Sequence, residues 1–153
     1  MALDNSPITV RRLGPADTVH WVSMRVGLFP NASHADHERE IAAILASRNQ
    51  VAFAALSGTD WLGFIELRQR DYAEGCDTSP VGYIEALWVA PPVRREGVAR
   101  RLVDAAITWA TARGYRELAS DTPIENTPSR LVHEKLGFTE AERLVCFKLN
   151  LGG

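Results

Sequence analysis

The sequence predicts a mixed α/β fold, one sheet with helices around it, and three observations carry that expectation. β-forming runs and helix-period runs follow one another in the order strand, two helices, a run of antiparallel strands, then β-α-β-α-β. No internal repeat, low-complexity tract or Gly/Ser/Pro linker interrupts the chain, so residues 1–153 are read as a single domain. With 46% hydrophobic residues and 17 Lys and Arg against 19 Asp and Glu, the 153 residues have an ordinary globular composition. A chain of this length buries roughly 68–70% of its unfolded surface, enough for a core without disulfides or metal.

Ile8–Leu13 alternates as a strand and ends at the Gly14-Pro15 turn. A helix is expected from near Ala16 to before Pro30, and a second over Ala35–Ser47, where Ile41, Ile44 and Leu45 share a face and Asp36, Glu38 and Glu40 suit the N-terminal dipole. Strands Val51–Leu56 and Trp61–Leu67 flank Ser57-Gly58-Thr59-Asp60, a hairpin loop by composition. The polar stretch Arg68–Pro80 reads as a long functional loop. Val81–Ala90 is a strand stopped by Pro91-Pro92, and Val98 to about Arg113 is a helix with Val98, Leu102, Ala105 and Trp109 on one face, closed by Gly114. A short strand around Leu118, a helix over Thr127–Leu136 closed by Gly137, and a final strand over Arg143–Leu149 complete the chain.

Composition also excludes. A net charge of −2 argues against a nucleic-acid binder. No apolar run approaches the length of a membrane span, and no leader is read at the N-terminus, so a cytoplasmic protein is expected. Cys76 and Cys146 show no CxxC pairing and are expected as free thiols. His34-Ala35-Asp36-His37-Glu38 lacks HExxH spacing, so a capped helix start is preferred there to a metal site, and no metal is expected. Trp21 and Trp109 are read as core.

The informative stretch runs from Val89 through Pro91, Pro92, Arg94, Arg95, Glu96, Gly97, Val98, Ala99 and Arg100 into a helix. A strand stops, a basic glycine turn follows, and the free N–H groups of a helix start point outward, which together make an anion cradle fit for a pyrophosphate. No Gly-Lys-Ser/Thr follows and no GxGxxG is present, which disfavours nucleotide hydrolysis and dinucleotide binding. On spacing alone, a helix start with merely solvated arginines fits equally.

Arg94-x-x-Gly97-x-Ala99, after a strand and Pro91, resembles the acetyl-CoA pyrophosphate loop of the GNAT acyltransferase superfamily. Asn126-Thr127-Pro128 through Lys135-Leu136-Gly137-Phe138 is similar to the superfamily's cofactor helix. The likeness extends from Trp21 to Phe147 to the aminoglycoside 6′-N-acetyltransferases. Leu28-Phe29-Pro30, the loop from Arg70-Asp71-Tyr72 to Ser79-Pro80, the strand Tyr83-Ile84-Glu85-Ala86-Leu87-Trp88-Val89 and Ala119-Ser120-Asp121-Thr122 resemble that family's motifs. Phe29 stands where the family often has Trp, and Cys146-Phe147 where a Tyr near the thiol is sought.

The resemblance implies a GNAT-like sheet, mostly antiparallel, with a splayed parallel pair of central strands. It implies transfer of acetyl from acetyl-CoA to the 6′-amine of a cationic aminoglycoside by direct attack, in a homodimer. It places Leu87, Trp88 and Val89 along the pantetheine arm; Arg94, Arg95, Glu96, Gly97, Val98, Ala99 and Arg100 at the pyrophosphate; and Asn126 and His133 on the cofactor side of their helix. Phe29, Tyr72, Glu85, Asp121 and Glu142 become substrate contacts, with Asp121 and Glu85 as catalytic carboxylates. Charged groups in the apolar contexts of Glu85 and Asp121 are costly unless paired or used. A carboxylate can take the proton an ammonium must lose before attack, or can pair structurally with an arginine such as Arg116 or Arg143. Another polyamine or a protein N-terminal amine as acceptor, and a non-catalytic acyl-CoA-binding module, are the competing readings.

Overall fold

The computed structural model describes residues 6–152. Five strands form one sheet in chain order: β1 (Ile8–Arg12), β2 (Gln50–Ser57), β3 (Asp60–Arg70), β4 (Val81–Val89) and β5 (Leu118–Ala119). The first four pair antiparallel, and β4 and β5 pair parallel. Four helices surround the sheet: α1 (Thr18–Leu28), α2 (His34–Ala46), α3 (Val98–Ala112) and α4 (Thr127–Lys135).

Alternation along the strands divides the core in two. Ala52, Ala54, Leu56, Phe64 and Ala86 pack with Trp21, Val22 and Met24 of α1 and Ile41 and Ile44 of α2. Val51, Ala55, Ile65, Leu67 and Ile84 pack with Val98, Leu102, Val103 and Ala106 of α3. The buried stripe of α3 is thus Val98, Leu102, Val103, Ala106 and Ala110, while the expected Ala105 and Trp109 lie at its half-buried margin.

The first core contains a buried ionic cluster that joins α1, α2 and β3. Arg25 donates to both oxygens of Glu66 at 2.5 Å, to Glu40, and through Nε to His37 Nδ1 at 3.1 Å. Trp21 Nε1 donates to Glu66 Oε2 at 2.9 Å, so Trp21 is core with its polar atom satisfied. His37 therefore belongs to the α1–α2 contact, and the start of α2 is a capping box between Ser33 and Asp36.

Three boundaries differ from expectation. The β2–β3 hairpin turns on Gly58 and Thr59 alone, with Gly58 at φ +60° and Ser57 already paired to Asp60. β3 runs on to Arg70, opposite Val81, so the loop begins later than the polar composition of Arg68–Pro80 suggested. The expected strand Arg143–Leu149 does not form within the chain: residues 139–152 carry no regular secondary structure and make no backbone hydrogen bond among the described residues. A strand needs a neighbour for its ladder, and the sequence pattern specifies a strand without saying whose edge it joins.

Candidate active site

A bulge and a fork in the sheet create the site. Glu66 pairs with Ala86 and Leu67 with Ile84, so Glu85 is an extra residue of β4 with no partner across the ladder. A bulge re-aims the side chain that bears it. Glu85 is directed to solvent, where both its oxygens accept from Arg70, Nε and Nη2 each at 2.9 Å. The Arg70 guanidinium also lies over the Tyr83 ring, 3.6 Å from its centroid. The Tyr83 hydroxyl donates to Asp121 Oδ2. One line of contacts, Glu85 to Arg70 to Tyr83 to Asp121, therefore joins the two carboxylates singled out by sequence. Burial, then the bond to Asp121, pushes the Tyr83 phenol well above its ordinary value, so it stays a donor throughout the neutral range.

The fork opens beside this line. β5 pairs with β4 only at Gly82↔Leu118 and Tyr83↔Ala119. Beyond that vertex Ser120 and Asp121 leave the sheet, and β4 from Ile84 to Val89 has β3 on one side and an unpaired edge on the other. Six extended residues span about 20 Å. At the far end of that edge, Pro91–Val93 makes a 3-10 turn, and Gly97, at φ +85°, caps α3. Arg101 is the first residue of α3 whose N–H bonds back, to Gly97 O, so the N–H groups of Val98, Ala99 and Arg100 remain for an anion. A Cβ on Gly97 would meet nothing within 4 Å, which shows how open the cradle is.

The basic residues of the cradle divide by partner. Arg94 donates to Val89 O at 2.9 Å and Arg100 to Lys135 O at 2.7 Å, tying the turn to β4 and to the end of α4. Arg95, at φ +70°, is exposed and makes no hydrogen bond or ion pair among the described residues, and Glu96 is exposed beside it.

Two groups expected at the cofactor lie on α4. Asn126 caps the helix, its side chain accepting from Ser129 N at 3.2 Å. His133 is half-buried, edge-on to Phe138, with Nδ1 2.7 Å from Ser129 O and Nε2 2.8 Å from Ser120 Oγ.

The remaining contacts form the rim. Phe29 ends α1 with the Arg25 guanidinium 5.2 Å from its ring centroid. The Trp88 ring lies so close to Gly27 that a Cβ there would come within 2.6 Å of it, which seats the end of α1 on β4. Glu117 holds the acidic loop by accepting from Asp77 N at 2.9 Å, Thr78 N at 2.7 Å and the Thr78 hydroxyl. Ala73 is buried against Val81 and Tyr83, leaving the neighbouring Tyr72 side chain exposed. Ala141 packs on Gly75, which brings exposed Glu142 past the same loop.

Sequence reasoning missed the partners. The carboxylates pair with Arg70 and Tyr83; Arg116 and Arg143, the arginines offered in the alternative structural reading, make no hydrogen bond or ion pair with them, and Arg143 pairs with Glu140. The available signal was the i, i+2 spacing of Tyr83 and Glu85 on one strand. Arg70 and Ser120 were seen only as parts of motifs, Arg70 at the start of what reads as a loop.

An unpaired strand edge leading from a helix N-terminus to two carboxylates joined through Arg70 and Tyr83 suits a protein that takes an acyl-CoA and presents its thioester to a cationic acceptor. The acetyltransferase (GNAT) family model matches residues 19–138, and the chain belongs to that family. It is similar to the aminoglycoside N(6′)-acetyltransferase type 1 of Serratia marcescens, 42% identical over 135 residues, covering 86% of this chain and 92% of that one. That of Klebsiella aerogenes is 39% identical over 150 residues, covering 95% and 98%. The fold matches the aminoglycoside acetyltransferase AAC(6′)-Iy in complex with a bisubstrate analogue, CoA-S-monomethyl-acetylneamine, with TM-score 0.92, 36% identity and coverage of 95% of this chain and 99% of that one.

Proposed function

We propose that the chain transfers the acetyl group of acetyl-CoA to the 6′-amino group of aminoglycosides by direct attack of the amine on the thioester. The observation that carries this is the line from Glu85 to Asp121 at the vertex of the fork. The pyrophosphate sits on the α3 N-terminus, with Arg95 free to reach it, and the pantetheine arm follows the open edge of β4 past Val89, Trp88 and Leu87. This delivers the thioester beside Asp121. Asp121 and Glu85 hold the ammonium form, Asp121 takes its proton, and an N–H of the β4 edge receives the developing oxyanion. Tyr72, Phe29 and Glu142 form the rim for the remaining rings and amines. One domain carries the whole site, and no metal enters the reaction.

The deciding assay compares thiol release from acetyl-CoA with kanamycin and tobramycin, which carry a 6′-amine, and with an analogue carrying a 6′-hydroxyl. Release with the amines alone supports the proposal. Equal release with the hydroxyl analogue, or release only with unrelated polyamines, overturns it.

The working state in this reading is a cytoplasmic homodimer. No helix of the described residues is long and apolar enough to cross a membrane, and the free thiols Cys76 and Cys146 suit a reducing compartment. For the dimer, the support is the unpaired arm. Leu144, Val145, Phe147, Leu149 and Leu151 are all exposed, Phe147 at 91%. Among the described residues no backbone hydrogen bond is made beyond Phe138, while β5, two residues long, lies at the edge of the sheet. Reciprocal exchange gives each arm a sheet edge and each edge a strand.

A further inference from the structure

When the amine displaces coenzyme A, the C–S bond breaks and sulfur leaves as a thiolate that must be protonated. Cys146 and Phe147 stand where a tyrosine near the thiol is sought and both are exposed on the arm, while the Tyr83 hydroxyl at the vertex already donates to Asp121 Oδ2. We infer that Ser120, backed by His133, is the acid that protonates the departing thiolate.

The position of Ser120 follows from the register. Ala119 is the last residue of β5 paired to β4, so Ser120 is the first residue past the vertex and adjoins Asp121. An acyl-CoA laid along the open edge of β4, from the α3 N-terminus toward the vertex, brings its thioester to the place where Ser120 turns away. The donor and acceptor roles of the dyad are set by its partners. Ser129 O, 2.7 Å from His133 Nδ1, is a carbonyl and can only accept, so Nδ1 carries a hydrogen. In the neutral ring, Nε2 then accepts from the Ser120 hydroxyl at 2.8 Å. In the imidazolium both nitrogens donate, so Nε2–H donates to Ser120 Oγ and the serine O–H is released to point elsewhere. With the thioester at the vertex, it points at sulfur.

The step balances. As the C–S bond breaks, its electron pair stays on sulfur, sulfur takes the Ser120 proton, and Ser120 Oγ takes the Nε2 proton of His133. The ring is left neutral with Nδ1–H intact and regains a proton from solvent. The amine's proton leaves separately through Asp121, so acid and base are different, adjacent residues, Ser120 held by His133 and Asp121 by Tyr83. Ser120 is the catalytic residue here because it meets the reacting sulfur; His133 acts through it and is a positioning residue.

The inference rests on acetyl-CoA being the donor, and the test keeps the two apart. Ser120→Ala, His133→Gln and the double variant are assayed with acetyl-CoA and kanamycin, and coenzyme A affinity is read by calorimetry. Each single variant is expected to lose about 10²-fold in kcat, with KM for acetyl-CoA and coenzyme A affinity within about threefold of wild type. The double variant should lose no more than the worse single, as members of one relay do. Ser120→Ala with kcat within about twofold of wild type, or a double variant whose losses multiply, overturns the relay. A wild-type protein that binds no coenzyme A overturns the donor reading instead. Ser120→Ala removes a small half-buried hydroxyl, so it keeps the test open if His133→Gln fails to fold.

Discussion

Glu85 accepts from Arg70 with both carboxylate oxygens, whereas Asp121 accepts from the Tyr83 hydroxyl with Oδ2 alone, which in the proposed reading leaves Oδ1 for substrate. The two residues should therefore fail differently. Asp121→Asn is expected to cut kcat/KM on a 6′-amino aminoglycoside by about 10²-fold, with kcat falling as well as KM rising, because charge and base are both lost. Glu85→Gln is expected to act mainly on KM, by about tenfold. Steady-state kinetics on both variants checks the order, and an Asp121→Asn enzyme at more than about half of wild-type kcat/KM removes Asp121 from the mechanism. Both carboxylates stood out in the sequence as charges beside apolar or small-residue runs, yet the structure leaves both exposed, Glu85 on a bulge of β4 and Asp121 beyond the end of β5. Their partners did not stand out, since Tyr83 meets Asp121 across 38 positions of chain. The bulge that aims Glu85 adds one residue without any signature in composition.

Among the elements, the cradle and the acidic loop make opposite demands on backbone. Gly97 holds φ +85° in open space. Gly97→Asp should therefore strain the turn and place a carboxylate at the anion site, with acetyl-CoA affinity falling by about tenfold or more. Calorimetry within about threefold of wild type would contradict this. The loop instead hangs on Glu117, whose carboxyl is held below its usual value, first by the Thr78 hydroxyl and then against a smaller opposing effect of burial. A depressed folded value means that its stabilisation is complete above the ordinary carboxylate range, near about pH 4.3, and fades as pH falls through the lower folded value. The Tm gap between wild type and Glu117→Gln should accordingly be full at neutral pH and close below about pH 4. A gap unchanged across that range would show that the charge is irrelevant. α3 and α4 were legible to within two residues, because Gly97, Gly114, Asn126 and Gly137 punctuate a 3.6 period. β3 was not, because its last turns of ladder are polar on both faces: Arg68, Gln69 and Arg70 are held by pairing with Tyr83, Gly82 and Val81.

For the whole molecule the open question is the arm. Phe147→Asp places a charge where exchange would bury an aromatic ring, and is expected to convert a dimer to a monomer by light scattering while leaving the single-chain sheet intact. A wild-type monomer, or a variant that remains dimeric, removes the exchange. A sequence read one chain at a time expects Arg143–Leu149 to be a strand and has no means of assigning its neighbour, and this is why the α/β class and the central fork were readable while the last strand was not.

The edge of β4 from Ile84 to Val89 has a further consequence in the protein's life before it meets substrate. Bare peptide edges of this kind are templates for other chains. In the proposed reading a bound coenzyme A would cover this one and so would act as a pharmacological chaperone for its own enzyme. Saturation at about 100 times Kd stabilises a native state by about 2.7 kcal/mol through linkage alone. Melting temperature should climb with coenzyme A concentration, and protein produced in starved cells, where the thioester pool is low, should aggregate more readily than the same protein produced in fed ones.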